Sequence, residues 1–384
     1  MTKLSRRTFV QKASALSLAA HPWLVAGQNL SNQRLLFVGT QTAGASKGIY
    51  AYNFDIATGE LNQTGLAAEA DNPTFLALAP DGKILYAANE LDQFEGKKSG
   101  AVSSFALDRK NAKLTKINQV ASRGDGTCHV AVDHTGRAVF AANYGGGSAA
   151  SFSVQGGHLS EAVSFFEYEG HGPEKQQSGP RAHRVTPSPD NRFLLVNDLG
   201  LDKIHIYRLD AATAKLTPNN PSEWNATPGS GPRALRFHPA GKWAYCVNEL
   251  KSSVDVLRWD ANRGSLETTQ EISLLPDGHQ GPTAASEVVV DSSGRFIHVA
   301  NRLDDFLATF AASPEDGKLS LLSRSSCGGK TPRHIALDPS ESWLLVANQV
   351  SDNIAVIARD KRTGRLAEQV KSFPLSKPQC LVFA

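Results

Sequence analysis

Four cysteines in 384 residues, with no Cys-x-x-Cys pair among them, are too few and too scattered for a zinc ribbon or a dithiol redox motif. Cys128, Cys246, Cys327 and Cys380 lie far apart, three of them inside expected strands. A buried free thiol is the ordinary state for such a residue, and a disulfide stays open in an oxidising compartment. Long apolar runs are also missing. The mild stretch from Ala13 to Ala20 is too short to cross a bilayer, so no stable membrane anchor is expected. A surplus of charge is missing too: of 40 basic side chains four lie in the first 26 residues, which leaves 36 against 37 acidic ones. That balance excludes the basic footprint of a nucleic-acid binder. Beyond the N-terminus no segment carries a long 3.6-residue period, which removes helical architectures. Gly145-Gly146-Gly147 is followed by no helix and so is no dinucleotide loop. It reads as a close-packed turn.

What the chain does have is a repeat. An apolar run ending in a polar tag recurs seven times: LLFVGT (closing at Gly39), ILYAANE (Asn89), AVFAANY (Asn143), FLLVNDL (Asn197), WAYCVNE (Asn248), FIHVANR (Asn301) and WLLVANQ (Asn348). Successive tags are 50, 54, 54, 51, 53 and 47 residues apart, a period that belongs to stacked supersecondary units. Each unit reads as four strands. A short first run such as PTFLALA (73–79) ends in a turn such as Pro80-Asp81-Gly82, the tagged run follows, and an alternating third run such as VDVLRWD (254–260) leads through a Gly turn to a fourth. Seven such units predict an all-β, seven-bladed β-propeller of four antiparallel strands per blade. The chain outside the leader begins on a second-strand run (35–40) and stops after a first-strand run (378–384). One blade is therefore expected to be assembled from both ends, closing the ring without a free sheet edge.

The first 26 residues read as a leader. Ser5-Arg6-Arg7-Thr8-Phe9-Val10-Gln11-Lys12 resembles a twin-arginine export signal, with the apolar stretch behind it and cleavage near Ala26. The expected organisation is a signal peptide over 1–26 and a propeller over 34–384, with the twin-arginine export machinery as a partner and the periplasm as destination.

Antiparallel topology locates a site. The start of each innermost strand and the end of each second strand share one face of the disk. Two sequence registers map there. One, 14 or 15 residues before the tag, holds His129, His183, Arg233, Glu287, Arg333 and His334; the other, just after it, holds Glu90, Tyr144, Asp198, Glu249, Arg302 and Gln349. An Arg–Glu pair can simply join neighbouring blades, but a ring of His, Arg and carboxylates around a propeller mouth fits a small-molecule or anion site.

These residues also carry a resemblance. GPRALRFHPAGKWAYCVNELKSSVDVL (231–257), AHRVTPSPDNRFLLVNDLGLDKIHIY (182–207), ANYGGGSAASF (142–152) and GGKTPRHIALDPSESWLLVANQVSDNIAVI (328–357) are similar to the lactonase family of seven-bladed propellers, across essentially all of 34–384. That family includes propeller-type 6-phosphogluconolactonases and carboxymuconate-lactonizing enzymes. The resemblance implies hydrolysis of a sugar lactone without a cofactor or metal, with His183, Arg233, Glu249 and Arg302 as catalytic residues. Arg181, His129, Asp198, Glu287, Arg333 and His334 are expected to bind substrate. Two positions depart from the family pattern: Arg181-Ala182-His183 stands for His-x-His, and Ala234 for the His of Gly-Pro-Arg-His. Both reshape the pocket. A carboxylate or neutral imidazole can take a proton from water, and guanidinium groups can hold the developing oxyanion. Glu249 is expected as the base, with His183 as its rival. Two other readings fit the same scaffold. One is a non-catalytic binding propeller, which would favour exposed aromatics on a flat face. The other is a different enzyme, a muconate-type cycloisomerase or a metal-dependent hydrolase, the latter sensitive to a chelator.

Overall fold

A computed structural model describes residues 32–384. The expected leader over 1–26 lies outside the described residues. Among the described residues twenty-eight strands form seven four-stranded antiparallel sheets, with a short 3-10 turn at Lys175–Gln177 between two of them. No helix among them is long and apolar enough to cross a membrane.

Blade one is built from both ends of the described chain. Its inner strand, Pro378–Phe383, pairs antiparallel with Gln33–Thr40, which continues into Gly48–Asp55 and Glu60–Glu69. The inner strands of blades two to seven are Pro73–Leu78, Thr127–Val132, Ala182–Pro187, Pro232–Phe237, Ala285–Val290 and Pro332–Leu337. The closure read from the two ends is therefore the closure of the ring.

The second strands read as unbroken apolar runs because both of their faces are buried between sheets. In Gln33–Thr40, Leu36 and Val38 pack towards blade seven, while Phe37 packs towards blade two. Seven hydrophobic clusters fill the seven gaps between blades, one per gap. All four cysteines are buried free thiols.

An outer contact repeats from blade to blade. The glycine ending the outer turn of one blade lies against the residue that opens the second strand of the blade before it. Gly364 sits on Phe296, Gly317 on Trp243, Gly264 on Phe193, and Gly59 of blade one on Trp343 of blade seven. Trp343 also donates its indole N–H to the Ile56 carbonyl at 2.9 Å. Trp243 and Trp343 thus pack between blades, as their positions suggest.

Several tag residues hold strand ends to neighbouring backbone. The side-chain amides of Asn89, Asn143 and Asn348 donate to the carbonyls of Asp71, Ser122 and Cys327 at 2.7, 3.2 and 3.0 Å. In blade four the tag is Asp198, one residue later than the sequence pattern suggests. Asp198 pairs with Ala182 as Asn248 does with Pro232 and Asn143 with Thr127.

Candidate active site

Every inner strand begins with the same irregularity. Its second residue drops out of the hydrogen-bond ladder, so that pairing passes from Pro73 to Phe75, Thr127 to His129, Ala182 to Arg184, Pro232 to Ala234 and Pro332 to His334. Gln379 is skipped in the same way, and in blade six the break spans Ser286 and Glu287. A bulge of this kind re-aims a side chain. Here it turns the skipped residues into the axial channel, where Thr74, Cys128, His183, Arg233, Arg333 and Gln379 surround one small void.

The residue after each tag forms a second ring above them. Each is anchored by its backbone N–H to a carbonyl before the inner strand of its own blade. Tyr144 donates to Gly126, Glu249 to Gly231, Arg302 to Ala284 and Gln349 to Thr331, at 2.8 to 3.0 Å. Blades five and six thereby bring three charges together. Glu249 Oε2 lies 2.9 Å from Arg233 Nε and 2.6 Å from Arg302 Nη2. Arg233 also donates through Nη1 to the Ser286 carbonyl. Burial pushes the Glu249 carboxyl up, but Arg302 and Arg233 outweigh it and hold the group below the usual carboxylate range. Burial, with Arg302 beside it, lowers Arg233, which remains a cation at neutral pH.

His183 stands next to this trio, its ring edge-on to Tyr144 with centroids 5.6 Å apart. Burial first, then the charges of Arg233, Arg333 and Arg302, hold its imidazole well below its ordinary value, so it is neutral at pH 7. Arg333, partly exposed, makes no hydrogen bond or ion pair to another described residue. Arg181 stacks 5.4 Å over Tyr144 and donates to the Gly145 carbonyl at 3.3 Å, which puts the triple-glycine turn at the mouth.

The other expected residues separate from this group. Asp198 is fully buried, and its Oδ1 accepts the backbone N–H groups of Arg181, Gly200 and Leu201 at 2.8, 2.9 and 3.1 Å. As the blade-four tag it shapes the loop instead of facing the mouth, and Leu199 takes the place after the tag. Glu287, His129 and His334 lie one residue deeper, in a second layer. There Arg184 Nη1 donates to both Glu287 oxygens at 2.8 Å. His334 Nε2 is 3.9 Å from Glu287, and the His129 ring tilts over Phe75 at 4.0 Å. Arg184 and Arg236 escaped the sequence reading. Strict alternation points Arg184 away from His183, and only the bulge lets both face the channel.

With this geometry in place, comparison with known proteins is decisive. The profile of the family described as "Lactonase, 7-bladed beta-propeller" matches residues 35–383. The chain belongs to this lactonase family. A 6-phosphogluconolactonase from Bacillus subtilis is 34% identical over 297 residues, which cover 77% of this chain and 82% of that one. Among solved structures, a periplasmic gluconolactonase from Pseudomonas aeruginosa is 35% identical with a TM-score of 0.86, covering 91% of this chain and 99% of its own. A putative 6-phosphogluconolactonase from Bacteroides fragilis is 32% identical, also at 0.86, covering 93% and 99%. These relatives are named as lactonases, which are hydrolases, and the seven-bladed architecture read from the repeat is theirs.

Proposed function

We propose that this lactonase hydrolyses a sugar lactone to its open-chain acid at the Arg233–Glu249–Arg302 mouth. The observation that carries the proposal is the pairing of two guanidinium groups on one carboxylate beside a neutral imidazole. Water needs a base as it attacks the lactone carbonyl, and the oxygen of that carbonyl needs positive charge as it becomes an oxyanion. Arg302 and Arg233 supply the charge, held in place by Glu249. A carboxylate with a depressed pKa is a weak base, whereas the His183 imidazole is unprotonated at neutral pH and has no hydrogen-bond partner among the described residues. We therefore place the base on His183, with Glu249 orienting the two arginines. Collapse of the tetrahedral adduct breaks the ring C–O bond, and the ring oxygen leaves as the sugar hydroxyl after taking a proton. Arg333 is the guanidinium left over for a hydroxyl of the sugar or, on the 6-phosphate ester, for the phosphate.

The leader-like sequence Ser5-Arg6-Arg7-Thr8-Phe9 supports export by the twin-arginine route to the periplasm, as does the likeness to a neighbour named a periplasmic gluconolactonase. An exported enzyme would meet unphosphorylated aldonolactones formed by sugar oxidation outside the inner membrane.

Proton release by the mature protein on glucono-1,5-lactone and on its 6-phosphate ester, with and without chelator, tests the reading. We expect turnover above the spontaneous rate that resists the chelator. His183→Asn should lower kcat by about 10²–10⁴-fold with KM little changed. No rate above background on either ester would sink the lactone assignment. Full activity in His183→Asn with loss in Glu249→Gln would move the base to Glu249. Cell fractionation of an Arg6→Lys/Arg7→Lys variant tests export, with retention in the cytoplasm expected.

A further inference from the structure

A cavity of about 620 Å³ opens at the opposite end of the axial channel from Glu249 and its arginines. Its wall is formed by the later residues of the inner strands. The fifth residue of each faces the axis and is half-buried. Six of these seven are small or apolar, among them Ala77, Ala131, Val289 and Ala336, and the seventh is Arg236. Phe75 and Phe237 extend the apolar wall.

Arg236 is unlike the buried cations of the channel. Its Nε reaches the Val288 carbonyl at 3.4 Å and comes no closer than 3.8 Å to Glu287. Glu287 is already committed to Arg184. Two guanidinium groups thus share one carboxylate, and the surplus positive charge belongs to Arg236, whose side chain is 42% exposed. Three further buried polar atoms of cavity-lining residues have no hydrogen-bond partner among the described residues: Nε of Arg184, Nε2 of His129 and Oγ1 of Thr186, the one hydroxyl among the fifth residues. The carboxylates at the rim are engaged elsewhere. Asp338 accepts the backbone N–H groups of Trp343 and Ser340, and Glu341 that of Ser292.

The cavity is separate from the lactone mouth. The Arg184–Glu287 pair crosses the channel from blade four to blade six, and the void above it measures only about 20 Å³, room for about one water. A pocket of several hundred Å³ with apolar walls and one positioned cation fits a small organic ligand with a charged head. We infer that this rear cavity is a second binding site, for a small hydrophobic monocarboxylate. The carboxylate pairs with Arg236 and the apolar body lies against the inner-strand wall. The charge argument selects an anion, because a cation would meet Arg236 unscreened. The single guanidinium and the apolar ring select against a phosphorylated or polyhydroxylated molecule, which would leave hydroxyls unpaired.

Titration of the mature protein with sodium benzoate, followed by calorimetry, tests this site, with benzyl alcohol as the uncharged control. We expect saturable benzoate binding with a dissociation constant below about 1 mM. Arg236→Gln should weaken it at least tenfold, and benzyl alcohol should bind at least tenfold more weakly than benzoate. Ala336→Phe, which fills the wall without touching a charge, should also abolish binding. Arg333→Gln, in the other mouth, should leave benzoate binding unchanged. Because the two mouths are separated, benzoate should not compete with the lactone substrate, and Arg236→Gln should hydrolyse lactone normally. The inference is overturned by absence of saturable binding, or by affinity that survives both Arg236→Gln and Ala336→Phe. Competition with lactone and loss on Arg333→Gln would also overturn it, since both would put benzoate at the front mouth. The calorimetric binding readouts do not depend on the lactone assignment; only the competition and turnover controls rest on it.

Discussion

Arg184 and Glu287 face each other across the axis of the propeller, from blades four and six, with one guanidinium nitrogen 2.8 Å from both carboxylate oxygens. Both side chains are about 96% or more buried. They bridge blades that share no sheet, and they divide the channel into two mouths.

Removing one partner of such a pair leaves a lone buried charge, which costs roughly 3–5 kcal/mol, whereas replacing both with apolar groups is often close to neutral. Glu287→Gln should therefore lower thermal stability sharply, and Arg184→Met/Glu287→Leu should recover most of the loss. Thermal and denaturant unfolding of the two variants provide the check.

Acid should weaken the fold in two stages. Burial, with Arg359 beside it, lowers His298 to about 3, and burial lowers His334 to about 4, where Glu287 opposes the shift. A histidine whose folded pKa lies below its unfolded value near 6.5 binds its proton more readily when unfolded. Stability should then fall by about 1.4 kcal/mol per pH unit per histidine between pH 6.5 and 4. Glu287, held at about 2 by Arg184 and Arg236 against the effect of burial, adds a second loss as pH drops from about 4.5 towards 2. A melting-temperature series from pH 8 to 3 should show the first slope, shallower in His298→Asn.

Gly364 has φ +72°, and a Cβ there would come within 2.4 Å of the Phe296 ring. Gly364→Ala should cost about 1–3 kcal/mol from strain and overpacking together. Gly59→Ala should act similarly at the seam where the ring closes, against Trp343. Unfolding midpoints of the two variants measure both effects.

Deleting residues 378–384 removes the inner strand of blade one and leaves Gln33–Thr40 with an open edge. Open edges recruit other strands. The truncated protein should form soluble oligomers or aggregates in size-exclusion chromatography. Adding a synthetic peptide of residues 376–384 should shift it back towards monomer.

Much of this was legible in the chain because repetition exposes itself. Strands buried on both faces leave unbroken apolar runs, and tags such as Asn89, Asn143 and Asn348 recur for one reason, bonding to backbone. The His183, Arg233, Glu249 and Arg302 group was also within reach, since the registers that hold it follow from antiparallel pairing. The errors share a cause in local register. Asn197 and Asp198 are both polar, so the sequence alone did not separate the tag from its neighbour, and the slip placed Asp198 at the mouth. Alternation hid Arg184 and Arg236, because nothing in six residues of strand announces that the second one leaves the ladder.

The skipped residue at the head of an inner strand carries no rung of main-chain pairing. Thr74, Cys128, His183, Arg233, Arg333 and Gln379 stand at such positions around a single opening. Chemistry and scaffold are thereby uncoupled at six points, whereas the blade-six counterpart, Ser286, ties blades together by donating to the Pro332 carbonyl at 2.6 Å. A propeller of this kind can acquire a new substrate by changing letters at those six points, and Thr74 and Gln379, uncharged and with side-chain polar atoms that have no partner among the described residues, are where a redesign should begin.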